Sequence, residues 1–124
     1  MLITRQHHPD NLETPAQALL EPLTPTHYVR SHFAVPLLDA AAFRLKVAGS
    51  VTSPLSLSFA ELRALPATTR TLTLECAGNG RVYLTPSASG VQWEIGAVGT
   101  AQWTGVALRT LLERAGVGDN ACEV

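Results

Sequence analysis

The sequence has only two cysteines, Cys76 and Cys122, and they lie far apart along the chain. Two such residues provide neither a disulfide framework nor the paired spacing of a structural zinc site. No apolar run reaches the length of a membrane-spanning helix, so we expect no membrane span. The N-terminus also lacks the apolar stretch of a secretory signal. These absences predict a cytoplasmic protein, or a periplasmic one if a leader has been removed.

Charge of either sign is also scarce, because charged residues make up 15% of the sequence and nine basic residues nearly balance ten acidic ones. The net charge of −1 argues against a nucleic-acid binder, which needs a basic surplus to neutralise phosphates. Lys46 is the only lysine, so the other basic residues are arginines, which offer oxyanions a planar, bidentate fork. The 124 residues and 46% hydrophobic content predict one packed domain.

Local patterns predict several extended segments and one irregular region. Residues 1–27 hold four of the eight prolines and little periodicity, which predicts an irregular arm with one helical turn at 16–20. Alternation of apolar and polar residues predicts strands at 43–47 and 71–75, and a shorter one at 55–57.

Two short helices are predicted from their end signals. Ser58 and Glu61 have the spacing of a capping box, and Pro66 ends the helix that they begin. Apolar residues recur at helical spacing over 107–115, and Gly116 is the expected C-terminal stop.

Two further segments have weaker signals. Residues 90–104, which include both tryptophans, are expected to form a loop with short extended pieces. Residues 121–124 resemble the start of a strand. Since that element would be cut in mid-course, we expect the sequence to be part of a longer chain.

The segment that ends the strand at 71–75 reads ECAGNGR and allows two interpretations. Taken alone, it favours a β-hairpin closed by Asn79 and Gly80, with Cys76 as a small core residue. The alternative is a ligand site, because a thiol beside a glycine-rich turn and Arg81 has a cation nearby. A nearby cation favours the thiolate, which is the form that binds soft metals.

The segment YVRSH is similarly open to two interpretations. In an extended segment Tyr28, Arg30 and His32 lie on one face. They are either ordinary surface residues or a cationic, hydrogen-bonding edge suited to a phosphate or sulfur oxyanion.

Three segments in order, YVRSHFAVP, ECAGNGR and GVQWEIGAVGTAQWTGVALRTLLERAGV, resemble the sulfite oxidase family of molybdenum-cofactor enzymes. The resemblance runs from about Asn11 to the last residue, and the GNG at 78–80 is similar to the bacterial branch. It implies an α+β fold, a mixed, sheet-rich molybdopterin-binding domain of sulfite oxidase type. Residues 1–124 would be its N-terminal part, incomplete at the C-terminus.

The resemblance also implies a cofactor and its ligands. In this family one cysteine thiolate binds molybdenum beside a single molybdopterin, and Cys76 matches that metal ligand. The pterin-binding positions match residues of the two short motifs, namely Tyr28, Val29, Arg30, Ser31, His32, Gly78 and Asn79. The family often has asparagine where Ser31 stands, so this contact departs from the usual pattern.

The implied reaction is oxidation of sulfite to sulfate by oxygen-atom transfer at molybdenum. Arg30 and Arg81 match arginines of the anion pocket, and Trp93 matches an aromatic wall of it. The implied partners are sulfite or a related small oxyanion and a separate electron acceptor such as a cytochrome, with a homodimer in the full-length protein. The alternative is a non-catalytic fragment, or a cofactor-free module that keeps only the fold.

Overall fold

The structure is a computed structural model that describes residues 1–124. The chain divides into two compact units. Unit 1 comprises Met1–Pro36 and Arg70–Trp103, and unit 2 comprises Leu37–Thr69 and Thr104–Val124. Six short strands and two short helices give the expected sheet-rich α+β class. None of the helices combines the length and the apolar character that crossing a bilayer requires.

Unit 1 begins with an antiparallel hairpin of β1 (Ile3–Gln6) and β2 (Asn11–Glu13). A 3-10 helix follows at Ala16–Leu20, which confirms the predicted helical turn. The prediction of an irregular arm over residues 1–27 is therefore wrong for the two strands. The polar residues of β2 are buried and make tertiary hydrogen bonds, and a period-two search for apolar side chains does not detect such a strand.

Strands β5 (Ala67–Glu75) and β6 (Val98–Val106) pair with each other. Threonine hydroxyls meet across the pair, Thr69 with Thr104 at 2.8 Å and Thr73 with Thr100 at 2.7 Å. Residue numbers rise along one strand as they fall along the other, so the pairing is antiparallel.

The pairing of β5 with β6 corrects two predictions. The hairpin closed by Asn79 and Gly80 is wrong, because the chain continues from Gly80 into a 3-10 helix, Arg81–Tyr83, instead of a returning strand. The loop predicted for 90–104 is wrong from Val98 onward. Gly99, Ala101 and Gly105 share one face of β6 with Trp103, and these three small residues hide its period of two.

The core of unit 1 consists of Val91, Trp93 and Ala97, all buried. Tyr28 and Cys76 are partly buried and pack against this core cluster. The segments that contain Tyr28 and Cys76 are far apart in sequence, and both are thereby held against the same core cluster.

Unit 2 contains the antiparallel strands β3 (Arg44–Val47) and β4 (Leu55–Ser58), with Leu45 opposite Leu57. Helix α1 (Phe59–Arg63) follows, and its capping box is present as predicted. Both strands and this helix confirm the local sequence signals.

Helix α2 (Leu108–Ala115) buries Leu111 and Ala115 and ends at Gly116, whose φ is +67°. That conformation favours glycine, as the stop signal predicted. The strand expected at residues 121–124 is wrong. Residues 121–124 have no strand conformation, and the bridge in this region joins Val51 to Val117 instead.

Candidate functional site

Cys76 follows β5 directly and is held through its backbone. Its N–H donates to the carbonyl oxygen of Ala97 at 2.8 Å, and its own carbonyl accepts the N–H of Asn79 at 2.8 Å. The residue is half-buried against the core cluster and forms no disulfide. The thiol therefore sits at a fixed point, where the strand ends and a tight turn begins.

Asn79 closes that turn with its side chain. Its amide nitrogen donates to a carboxylate oxygen of Glu75 at 2.8 Å, and its amide oxygen accepts the N–H of Ala97 at 3.0 Å. The structure thus gives Asn79 a structural role in the turn. Its contact with a cofactor remains a prediction.

The guanidinium of Arg81 covers the same turn. It lies over Gly78, which is buried, and a Cβ on that glycine would be 2.6 Å from Nη2 of Arg81. Nη1 of Arg81 also approaches the carbonyl oxygen of Val91 at 3.4 Å. Arg81 is half-buried, so a charge is held close to the Cys76 turn.

Tyr28 connects the YVRSH segment to this region. Its ring meets Trp93 edge-on, with 6.3 Å between centroids, and stacks on His27 at 4.7 Å. Burial, followed by the negative charges of Cys76 and Glu75, raises the pKa of Tyr28 above its ordinary value. The phenol therefore keeps its proton and can donate a hydrogen bond.

The remainder of this segment is tied to the N-terminal hairpin. Val29 exchanges two backbone hydrogen bonds with Leu12, at 2.8 and 2.9 Å. Next to this bridge, the side-chain oxygen of Asn11 accepts the N–H of Ser31 at 3.0 Å and Nη1 of Arg30 at 3.2 Å. β2 therefore sets the path of the segment.

His32 and Arg30 are both exposed and lie side by side, with Nη2 of Arg30 3.2 Å from Nδ1 of His32. A guanidinium can only donate, so Nδ1 accepts and the proton of a neutral imidazole lies on Nε2. The pair thus presents N–H donors to solvent, as an anion-binding edge requires.

The structure places Trp93 in the core of unit 1. This side chain is 0% exposed and is the largest fully buried one in the chain. Tyr28 and Cys76 pack against the cluster to which it belongs. Its assignment as an aromatic wall of the anion pocket remains a prediction.

The predicted site residues fall into two groups of unit 1. Cys76, Gly78, Asn79 and Arg81 form one turn, and the segment Tyr28–His32 forms the other. Tyr28 joins the groups through the core cluster. Arg30 and Arg81 are held by different partners, Asn11 and Val91, and no hydrogen bond joins them.

The donor set fits a metal that brings most of its own ligands. No group of three or more His, Cys, Asp or Glu side chains converges in the chain. A single thiol at Cys76 cannot enclose a bare ion, but a thiolate is a suitable soft ligand for a metal that a dithiolene already holds. Arginine and histidine donors nearby suit the phosphate and ring edges of a pterin.

Glu13 is a structural residue of this site that belongs to none of the motifs identified in the sequence. Its buried carboxylate accepts the N–H of Gly96 at 2.5 Å and that of Glu94 at 3.2 Å. Arg5 forms ion pairs with both Glu13 and Glu94. Burial alone would lower the pKa of Arg5, but its hydrogen bonds to Glu94 and Glu13 raise that pKa above the ordinary value.

Glu13 matters because the segment that it holds also holds the cysteine turn. Ala97 accepts from the backbone of Cys76, and Glu94 accepts the N–H of Gly80 at 2.6 Å. The one available signal was that Asn11 and Glu13, two residues apart, share a face of an extended segment.

Several known proteins are similar to this chain. Residues 32–124 match the family model described as oxidoreductase molybdopterin binding domain. The chain is 43% identical to sulfite oxidase of Gallus gallus over 114 residues, covering 87% of this chain and 25% of that protein. It is 42% identical to the NADH nitrate reductase of Volvox carteri, covering 89% of this chain and 13% of that protein.

A solved structure shows the same fold. The crystal structure of the sulfane dehydrogenase SoxCD from Paracoccus pantotrophus matches with a TM-score of 0.77 and 31% identity, covering 94% of this chain and 31% of that chain. The chain thus spans about a quarter of the length of the sulfite oxidase and about a third of the SoxCD chain that it matches. It belongs to the family of oxidoreductases with a molybdopterin binding domain, as its sulfite oxidase motifs predicted, and the cofactor of this family is molybdenum-molybdopterin.

Proposed function

We propose that the protein containing this chain oxidises sulfite to sulfate. The observation that carries the proposal is that Cys76 and Tyr28 pack on the same buried cluster. A thiol and a segment of anion-binding character are thereby held in one unit. The similarity to a sulfite oxidase over most of this chain supports sulfite as the substrate.

The predicted cofactor-binding residues have the following roles in this proposal. The thiolate of Cys76 would hold molybdenum, and the segment Tyr28–His32 would bind the pterin together with Gly78 and Asn79. When bound, the cofactor supplies the oxygen-atom transfer and takes up the electrons. One water oxygen enters each sulfite, and two electrons and two protons leave.

The two arginines would bind the anion. Sulfite and sulfate are compact oxyanions, and guanidinium groups bind such oxygens with charge-assisted hydrogen bonds. Arg30 is exposed, with donors still available, and Arg81 lies over the cysteine turn. Both would also offset negative charge that develops during the reaction.

The partners and surroundings belong to the same proposal. The electrons would pass singly to a separate acceptor such as a cytochrome. The full-length protein would be a homodimer of the bacterial branch, placed in the cytoplasm, or in the periplasm if a leader is removed.

Replacement of Cys76 tests the proposal directly. In the full-length protein, Cys76→Ser should remove sulfite oxidation and bound molybdenum with little loss of fold, because a hydroxyl is a harder and poorer ligand than a thiolate. Elemental analysis, a sulfite assay and a thermal melt measure the three quantities. Cys122→Ser is the matched control, since Cys122 is exposed and lies in unit 2.

The same experiment separates the alternatives. Turnover near the wild-type value in Cys76→Ser would contradict the assignment of the metal ligand. A well-folded full-length wild type without molybdenum, after expression with the cofactor available, would favour the cofactor-free module instead.

Reduction of nitrate is a second candidate, because the identity to a nitrate reductase is nearly as high as that to a sulfite oxidase. Parallel assays of sulfite oxidation and nitrate reduction with one preparation distinguish the two. Activity with nitrate alone would replace the proposed substrate while leaving the roles of Cys76 and the pterin segment unchanged.

A further inference from the structure

Asn11 makes three hydrogen bonds from a side chain with no solvent exposure. Its nitrogen donates to the carbonyl oxygen of Pro9 at 3.0 Å. Its oxygen accepts from the backbone of Ser31 at 3.0 Å and from Nη1 of Arg30 at 3.2 Å. One buried amide thus joins the turn of the N-terminal hairpin to an exposed arginine.

From this geometry we infer that Asn11 is a positioning residue for Arg30 and sets the affinity of the anion site. The inference rests on the proposed function, in which Arg30 binds the oxyanion. Asn11 lies before residue 32, where the family match begins. Asn11 is not itself predicted to contact the cofactor or the anion. It acts through its hydrogen bonds with the Arg30 side chain and the N–H of Ser31.

The reason is preorganisation. An exposed arginine has many rotamers, and ordering it on binding weakens the affinity for the anion. Nη1 of Arg30 donates to Asn11 at 3.2 Å and to the carbonyl oxygen of Ser31, and Nη2 lies 3.2 Å from His32. The guanidinium has five N–H donors, so donors remain for an anion after these contacts. Because Asn11 is buried within β2, its part of the restraint comes from the fold, unlike that of the exposed His32 side chain.

The test measures sulfate binding to the full-length protein by isothermal titration calorimetry, because sulfate is an unreactive dianion and the product of the proposed reaction. Arg30→Gln should raise the Kd by about 10- to 150-fold. Asn11→Ala should raise it by about 10-fold, which corresponds to about 1.4 kcal/mol. In the Arg30→Gln background, Asn11→Ala should add less than about 2-fold, since its effect passes through Arg30.

Two further variants control for stability. Thr14→Val removes an equally buried polar group of the same region, whose hydroxyl donates to Thr26 at 3.0 Å. It should lower the Tm and leave the sulfate Kd within about 2-fold. If Asn11→Ala does not fold, Asn11→Asp keeps the acceptor oxygen, and its carboxylate should compete with sulfate for Arg30. Asn11→Asp should therefore raise the Kd for sulfate, and it should do so by a smaller factor in the Arg30→Gln background.

The outcomes separate this inference from the proposed function. An unchanged Kd in Asn11→Ala, or equal increases with and without Arg30, overturns the inference while the effect of Arg30→Gln still supports an anion site. An unchanged Kd in Arg30→Gln, or no sulfate binding by the wild type, overturns both.

Discussion

Glycine is needed at position 78 because of the neighbouring Arg81 side chain, and not because of its own backbone conformation. A methyl group at this position would meet the guanidinium of Arg81, the far end of a flexible side chain, while its φ lies outside the left-handed region. In the full-length protein, Gly78→Ala should displace Arg81 and lower kcat/KM for sulfite by about 10-fold, which is about 1.4 kcal/mol. Gly105→Ala is the control, because a Cβ there meets nothing within 4 Å. Equal values of kcat/KM for the two variants would contradict a role for Gly78.

The role of Arg81 can be tested by comparing its replacement with that of another arginine, so that both variants lose the same charge. Arg81→Gln in the full-length protein should lower kcat/KM for sulfite by about 10- to 150-fold, the effect of losing about 1.5–3 kcal/mol of a charged hydrogen bond. Arg63→Gln is the comparison, because Arg63 is exposed on α1 and lies only over the ring of Phe59, at 5.8 Å. Small, equal effects of both substitutions would show that Arg81 is an ordinary surface charge.

At the scale of the element, α1 depends on one carboxylate. Glu61 accepts hydrogen bonds from the N–H of Ser58 at 2.8 Å and from its hydroxyl at 2.7 Å, and these bonds lower the pKa of Glu61 below the ordinary value of 4.5. A carboxyl group whose pKa is lower in the folded state stabilises the fold at pH values above its unfolded-state pKa. This stabilisation is lost as the pH falls through the folded-state pKa. The start of α1 should therefore fray only below about pH 4.5.

An NMR titration of the Glu61 carboxyl group measures this pKa, and amide exchange in α1 reports the fraying. In Ser58→Ala the pKa of Glu61 should return towards its ordinary value, because both hydrogen bonds to the carboxylate depend on the geometry of the capped turn. The same midpoint in both proteins would show that the capping box is absent in solution.

Local elements were predictable where local chemistry determines them. The capping box at Ser58 and the alternation of β3 are properties of adjacent residues, so both appeared as expected. β2 escaped prediction because its buried residues are polar and their partners lie far along the chain. Neither its strand character nor its hydrogen bonds leave a local apolar pattern.

The candidate site was also predictable only in part. Cys76 and Arg30 were identified because they belong to short motifs with a recognisable order. Asn11 and Glu13, which hold the backbone beside them, belong to no such motif. Trp93 was assigned to the pocket from its motif, and its complete burial was not predictable from that motif.

On the scale of the whole molecule, β5 is the most exposed strand and carries two leucines. All nine residues of β5 are exposed, Leu72 to 46% and Leu74 to 42%, and β6 is the only strand paired with it. We expect the 124-residue chain to self-associate through this edge. Residues 121–124, which the sequence predicted to begin a strand, have no strand conformation and offer no such edge.

Size-exclusion chromatography of the 13.2 kDa chain should therefore show species larger than a monomer. Replacing Leu72 and Leu74 together by lysine should shift the population towards monomer, because edge lysines oppose strand pairing. Leu20→Lys removes a leucine that is 85% exposed outside β5 and should change little. A monomeric wild type, or equal shifts from both changes, would exclude association through β5.

The hydrogen bond between Glu13 and Gly96 also constrains when the site can form during synthesis of the chain. The two residues are separated by 83 positions, so a ribosome that adds about 5–20 residues per second needs roughly 4–17 s to complete the pair. Throughout this interval the carboxylate of Glu13 lacks the segment that holds it, and in its last part so does the backbone of Cys76. A nascent chain thus passes through a stage in which the thiol of Cys76 is already made but not yet fixed in place, because the carbonyl group that holds its backbone belongs to residue 97.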